Sequence, residues 1–246
     1  MTPEEILGAL NPEQARAAAA IQGPVLVLAG AGTGKTRVIT YRIAYMLATG
    51  IMPEEILGLT FTNKAAAEMR ERLAKLTESS VAARVTLGTF HAFCVKLLRR
   101  HIGRIGYLPG FSIADESDQQ GLIKQAAASL GYSKEDLSFQ AMAQRISDWK
   151  NKLVDVKSAR NAAGTDFDSA ASALYRAYQE LLELQNMIDF DDMLLLVHRI
   201  FCECPDVLED CRGRYRYLLV DEYQDTNAAQ FTLVKMLAGD RCNLCV

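Results

Sequence analysis

Residues 29–36, which read Ala29, Gly30, Ala31, Gly32, Thr33, Gly34, Lys35 and Thr36, restrict the folding of this 246-residue chain more than any other stretch. The glycines allow the backbone positive φ angles and let it turn its N–H groups inward. The apolar run Val25, Leu26, Val27, Leu28 precedes the loop. After it, Val38, Ile39, Ile43, Met46 and Leu47 fall on one helical face, and Gly50 stands where a glycine ends such a helix. A buried strand, a glycine turn and a helix with its positive end toward the turn make a phosphate-binding loop. In that arrangement Lys35 holds the β and γ phosphates and Thr36 offers its hydroxyl to Mg²⁺. Ala29 stands where the strict pattern has Gly, and a merely flexible turn has no need of the flanking strand and helix.

Further apolar runs bounded by turn residues occur at Ile56–Thr60, Val85–Leu87 and Tyr217–Val220 and predict buried strands of a parallel sheet. A helix is predicted after Asn63, with Met69, Leu73 and Leu76 on one stripe. Strand–helix alternation of this kind predicts an α/β fold, a P-loop parallel sheet with helices on both faces. Between Phe90 and Ile188 the alternation stops, and helical patterns run at Leu122–Leu130, Ala141–Leu153 and Leu174–Leu184. The expected organisation is a discontinuous nucleotide-binding domain, 1–90 and 188–246, interrupted by an all-helical insertion, 91–187.

The strand Tyr217–Val220 ends in Asp221 and Glu222. A carboxylate at the C-terminal edge of a parallel sheet lies beside the phosphate loop, where Asp221 can hold Mg²⁺ through water. Glu222 can then orient and deprotonate an attacking water. Alone, such a pair is also a solvated turn; with a phosphate loop upstream it fits hydrolysis better than binding.

Hydrophobic residues at 50% and charged residues at 23% exclude a disordered chain. With 27 Lys and Arg against 30 Asp and Glu, the net charge of −3 excludes bulk attraction to a polyanion, so a nucleic-acid site has to be a local basic surface. Arg84, Lys96, Arg99, Arg100 and Arg104, with Arg145, Lys150, Lys152, Lys157 and Arg160 in the insertion, either line such a path or form solvated helix faces. No secretory leader or membrane span is evident, which predicts a cytoplasmic chain without a membrane partner. The six cysteines, Cys94, Cys202, Cys204, Cys211, Cys242 and Cys245, then read as reduced thiols, with a zinc site drawn from Cys202, Cys204 and Cys211 together with Cys242 and Cys245 as the alternative.

These motifs together resemble the first RecA-like domain of UvrD/Rep/PcrA-type superfamily 1 DNA helicases, over essentially the whole chain. The resemblance implies ATP and Mg²⁺ as cofactors. Gln14, in the string Leu10 to Gln14, is similar to the glutamine that hydrogen-bonds adenine, and Arg37 to an arginine that helps hold base and sugar. Phe61, Thr62, Asn63 and Lys64 resemble one DNA-contacting motif and Thr89 with His91 another, with Phe90 and Phe93 as packing. Asp189, Asp191 and Asp192 resemble the segment where the chain re-enters the core domain, and they are also expected to cap the next helix. The string from Asp221 to Asn227 matches the family's acidic motif. The implied partners are single-stranded or partly duplex DNA and a C-terminal RecA-like half of the same protein. Without that half and its arginine fingers, a chain ending at Val246 is expected to be nearly inactive. Two other functions share part of the pattern: a nucleotide-responsive DNA-binding or interaction module without motor activity, and a small-molecule P-loop kinase. The kinase has no use for Phe61–Lys64 or Asp221–Asp225.

Overall fold

The computed structural model describes residues 1–30, 32–132, 138–240 and 243–246, which form two compact units. The first comprises residues 1–93, 208–226 and 234–246, and the second residues 94–207 and 227–233.

The first unit is built on strands β1 (Ile56–Thr60), β2 (Thr86–Thr89), β5 (Tyr217–Val220) and β6 (Leu244–Cys245), in the spatial order β2-β1-β5-β6 and all parallel. All five residues of β1 are buried, as expected for a central parallel strand covered on both faces. Helix Lys35–Ala48 buries Ile39, Ile43 and Met46, and with Met69 and Leu73 of helix Asn63–Leu76 they join Ile56, Leu87 and Leu219 in one core. Gly50 ends the first of these helices at φ 95°; its N–H donates to Leu47 O (3.1 Å) while Ile51 N–H donates to Met46 O (3.0 Å). That double closure requires the left-handed conformation glycine adopts freely.

Val25–Leu28, expected as a buried strand, is an extended edge segment. Val25 N–H donates to Leu244 O and Val27 N–H to Val246 O, both at 2.8 Å, and only the Val25–Cys245 bridge has regular strand geometry. Leu26 and Leu28 are 65% and 84% exposed because side chains alternate along an extended segment: Val25 and Val27 pack against the core, while Leu26 and Leu28 point to the other face, where they line a cleft. β6 therefore stands between β5 and the segment that leads into the glycine loop.

The second unit contains helices Glu116–Ser129, Phe139–Asn151, Val156–Ala162 and Asp166–Leu184 around a core of Leu122, Met142, Trp149, Leu174, Tyr175 and Leu182, with helix Asp192–Glu203 packed against helix Phe139–Asn151. Ser138, Asp155 and Thr165 cap three of these helices through bonds from Ala141, Ser158 and Asp168 N–H. The expectation of an all-helical insertion needs one correction. Strands β3 (Ser112–Ile113) and β4 (Met187–Ile188) pair in parallel, and two-residue strands are too short to leave a periodic signal. Helix Asp192–Glu203, expected beyond the return to the core domain at residue 188, packs within this unit.

The reason is a buried charge cluster. Lys150 is completely buried, with Nζ 2.6 Å from Asp189 Oδ2 and 2.8 Å from Asp192 Oδ1. Burial pulls the Lys150 pKa down, but the two carboxylates outweigh it and hold the ammonium above the ordinary lysine value. Tyr178 OH donates to Asp189 Oδ2 (2.9 Å), and Asp192 N–H donates to Asp189 Oδ1 (2.8 Å), which is the helix cap expected from sequence. A lysine so enclosed is removed from any nucleic-acid path. Arg145 is partly buried and pairs with Asp168 at 2.8 Å, while Arg99 is exposed, donating to Phe111 O at 2.5 Å and lying over the Phe111 ring.

Among the described residues no helix is long and apolar enough to cross a membrane. Cys94, Cys204, Cys211 and Cys245 are buried and Cys202 is exposed, while Cys242 lies outside the described residues.

Removing one member of a buried ion cluster leaves the others uncompensated and costs about 3–5 kcal/mol. Lys150→Ala is therefore expected to lower unfolding free energy by that amount in urea titrations. Lys152→Ala, at an exposed neighbour, should change it by less than about 0.5 kcal/mol.

Candidate functional site

The glycine loop meets the sequence expectation at its backbone. Gly32 and Gly34 have φ of 75° and 90°, and Gly34 precedes helix Lys35–Ala48 with no side chain capping the helix N–H groups. Among the described residues those groups have no side-chain cap, and they point where an anion can be received. Thr33 braces the loop, its Oγ1 donating to Gly30 O at 2.7 Å. Ala29 and Gly30 are exposed on the way in, and Ala31 lies outside the described residues.

Four residues distant in sequence converge on this loop. Thr36 Oγ1 donates to Asp221 Oδ2 at 2.9 Å, and Lys35 Nζ lies 3.5 Å from Glu222 Oε2. Asp221 is 3% exposed, and burial raises its carboxyl pKa while the Thr36 hydroxyl opposes the rise. Glu222 sits at φ 51°, a left-handed conformation costing a non-glycine residue about 1–2 kcal/mol. Gln224 Nε2 donates to Glu222 Oε2 and steadies the side chain. A cleft of ≈ 400 Å³ opens here, lined by Leu28, Lys35, Val38, Asp221, Glu222 and Gln224. The donor set fits a phosphate–metal group: helix N–H groups and an ammonium for phosphate oxygens, a hydroxyl and a carboxylate side by side for a hard cation.

Gln14 reaches the loop from the N-terminal helix Pro12–Ala19. Its Nε2 donates to Thr33 O at 3.1 Å, and its Oε1 accepts from Asn11 N–H at 3.3 Å. The side chain expected to read a base thus also holds the loop. Arg37 donates to Ala9 O at 2.8 Å and lies 5.1 Å from the Tyr41 ring centre, which ties the N-terminal segment to the loop helix.

The second group of expected residues gathers at the C-terminal ends of β1 and β2, where Thr60 is in register with Thr89. Phe61 is partly buried, its ring 5.7 Å from that of Phe90. Thr62 caps helix Asn63–Leu76 by accepting from Ala65 N–H at 3.1 Å, and Asn63 and Lys64 are exposed on its first turn. Thr89 is 7% exposed and caps the next helix by accepting from Ala92 N–H at 3.1 Å. Burial pushes His91 down to about 4, so near neutral pH it offers a neutral imidazole. Phe90 and Phe93 are buried packing residues, as expected.

Two features escaped the sequence reading. Arg42 is 1% exposed inside the core and donates to Ala17 O at 2.7 Å, fastening helix Pro12–Ala19 to the loop helix; an arginine in a helical run carries no sign of such burial. Gln224, part of the acidic string, could have been singled out by its place two residues after Glu222.

A family model described as the UvrD/REP helicase N-terminal domain matches residues 10–246. The chain is 42% identical over 243 residues to the ATP-dependent DNA helicase PcrA of Bacillus subtilis and equally to that of Staphylococcus aureus, covering 98% of this chain. It is 40% identical over its whole length to PcrA of Leuconostoc citreum. In each case the chain spans 33% of the relative's length.

The His91 environment predicts an acid-side loss of stability. Its pKa is about 4 in the fold against an ordinary value of 6.5, so as pH falls below 6.5 the unfolded chain takes up a proton that the fold refuses. Stability from this group is complete above pH 6.5 and is lost down to about 4. Unfolding titrations across that range should show a smaller loss for His91→Asn than for the unsubstituted chain.

Proposed function

Because the chain belongs to the UvrD/REP helicase N-terminal domain family, we propose that it is the ATP-binding part of an ATP-dependent DNA helicase or translocase. The observation that supports this most strongly is the convergence of Lys35 and Thr36 with Asp221 and Glu222 at one cleft.

Lys35 and the N–H groups at the start of its helix bind the β and γ phosphates, and Thr36 and Asp221 hold Mg²⁺, which when bound neutralises charge on the phosphate oxygens. Glu222 orients the attacking water and accepts its proton, with Gln224 keeping the carboxylate in place. Gln14 reads the adenine edge and Arg37 supports base and sugar. An amide pairs with adenine N6 and N7, which is the chemical basis for ATP.

Single-stranded or partly duplex DNA runs over the ends of β1 and β2. Phe61 offers a stacking face there, worth about 1–3 kcal/mol per base, and Thr62, Asn63, Lys64, Thr89 and a neutral His91 contact the backbone. The family's 3′ to 5′ polarity is taken over with this reading. Hydrolysis requires a second RecA-like half in the remaining two thirds of a protein of the relatives' length, acting in the cytoplasm. A nucleotide-responsive module without turnover has no use for a strained Glu222 beside Lys35, so the motor reading is favoured.

Losing one charge-assisted contact costs about 1.5–3 kcal/mol, so Lys35→Ala should weaken ATP·Mg binding to this chain by roughly 10- to 100-fold in calorimetric titrations. Glu222→Gln should still bind. With the C-terminal half of a PcrA relative added, DNA-stimulated ATP hydrolysis is expected, and each substitution should abolish it; turnover surviving in both rules the assignment out.

A further inference from the structure

The acidic string does not end at its catalytic candidates. Residues 221–225 are stiffened by short-range bonds: Glu222 N–H donates to Asp221 Oδ1 (3.2 Å) and Asp225 N–H to Glu222 O (2.9 Å). Thr226 donates twice to Tyr223 O, from N–H at 3.2 Å and from Oγ1 at 2.8 Å. These bonds close residues 221–226 into one compact turn that leads directly to residue 227.

Asn227, the next residue, already belongs to the helical unit. Its side chain is fully used there. Oδ1 accepts from Gln230 N–H (2.9 Å), and the Asn227 N–H donates to Gln230 Oε1 (3.1 Å), a reciprocal cap on helix Ala228–Ala238. Nδ2 donates to Asn151 Oδ1 at 2.6 Å. Asn151 in turn donates through Nδ2 to Asp191 Oδ1 (2.9 Å) and to Ser147 O (3.0 Å). The Asn151 amide is thereby oriented by acceptors on its nitrogen side, which leaves its oxygen to Asn227. Asn151 is the last residue of helix Phe139–Asn151 and directly follows Lys150, locked between Asp189 and Asp192. The relay Asn227–Asn151–Asp191 therefore runs beside the buried Lys150–Asp189–Asp192 cluster, Asn151 following Lys150 and Asp191 preceding Asp192 in the chain.

We propose that Asn227 and Asn151 are positioning residues that transmit the state of the nucleotide cleft to helix Phe139–Asn151. This rests on the reading of Lys35, Thr36, Asp221 and Glu222 as the ATP·Mg site. The coupling uses the covalent segment 221–227 and hydrogen bonds inside the helical unit. Two discrete arrangements of that segment, one for each state of the cleft, are what both ends need to share.

The chain holds its own reporter. Trp149 is its single tryptophan, lies two residues before Asn151, is 5% exposed, stacks on Tyr175 with ring centres 6.2 Å apart and has the Arg145 guanidinium 4.8 Å from its ring. A shift of the helix end that alters the Tyr175 stack or the Arg145 contact changes the surroundings of its ring and hence its emission.

The experiment titrates this chain with ATP·Mg, measuring binding by calorimetry and Trp149 emission in parallel. Asn227→Asp keeps an oxygen to cap the helix, replaces the donor to Asn151 by an acceptor and adds a negative charge; Asn227→Ala removes the cap and the donor without adding charge. The expected result is a saturable emission change in the unsubstituted chain that is lost in both variants, with nucleotide affinity retained. An emission change that persists in either variant overturns the relay. Nucleotide binding with no emission change in the unsubstituted chain overturns it as well, while leaving the ATP site intact. No binding at all overturns the site and the relay together.

Discussion

The contact between the Thr36 hydroxyl and the Asp221 carboxylate, 185 positions apart in sequence, is the one on which the rest of the structure depends. It exists because Val25–Leu28 and β5 run parallel and end at the same edge of one sheet, with β6 between them. Parallel strands cannot be joined by tight turns, so every return to that edge requires a crossover. The longest crossover, from β2 to β5, contains residues 94–207 of the helical unit, and the unit's remaining residues, 227–233, follow β5.

Charge in this chain is spent largely on structure. Lys150 serves two carboxylates, Arg145 serves Asp168, Arg84 holds Glu54 through two bonds of 2.6 and 3.0 Å, and Arg104 pairs with Asp206. What remains for a polyanion is the exposed set, Lys64, Lys96, Arg100, Lys152, Lys157 and Arg160 among them. The exposed pairs add little stability, whereas the buried cluster specifies where helix Asp192–Glu203 belongs, since misplacing it strands a charge.

The site is also held from behind. Gln14 and Arg37 are each bonded to protein carbonyls as well as being suited to a nucleotide, and Arg42 fastens the N-terminal helix to the loop helix from inside the core. Glu222 keeps an unfavourable backbone conformation beside Lys35, with Gln224 on its carboxylate. Preorganised groups of this kind are what a hydrolytic site uses to act on charge without rearranging.

The amino-acid sequence alone determined the local chemistry: the glycine turn, the strands at Ile56–Thr60 and Tyr217–Val220, the helix faces, the cap formed by Asp189, and the residue types at the cleft. These are legible because they depend on periodicity and on φ preferences that neighbouring residues set. Only the tertiary structure decided that Val25–Leu28 is an edge segment and that Lys150 is core and not surface. It also decided that Gln14 grips the loop and that Asn227 hangs on Asn151. Each of these depends on a partner far away in the chain, and a residue's own type does not say whether its hydrogen bond or its charge will be met by water or by such a partner.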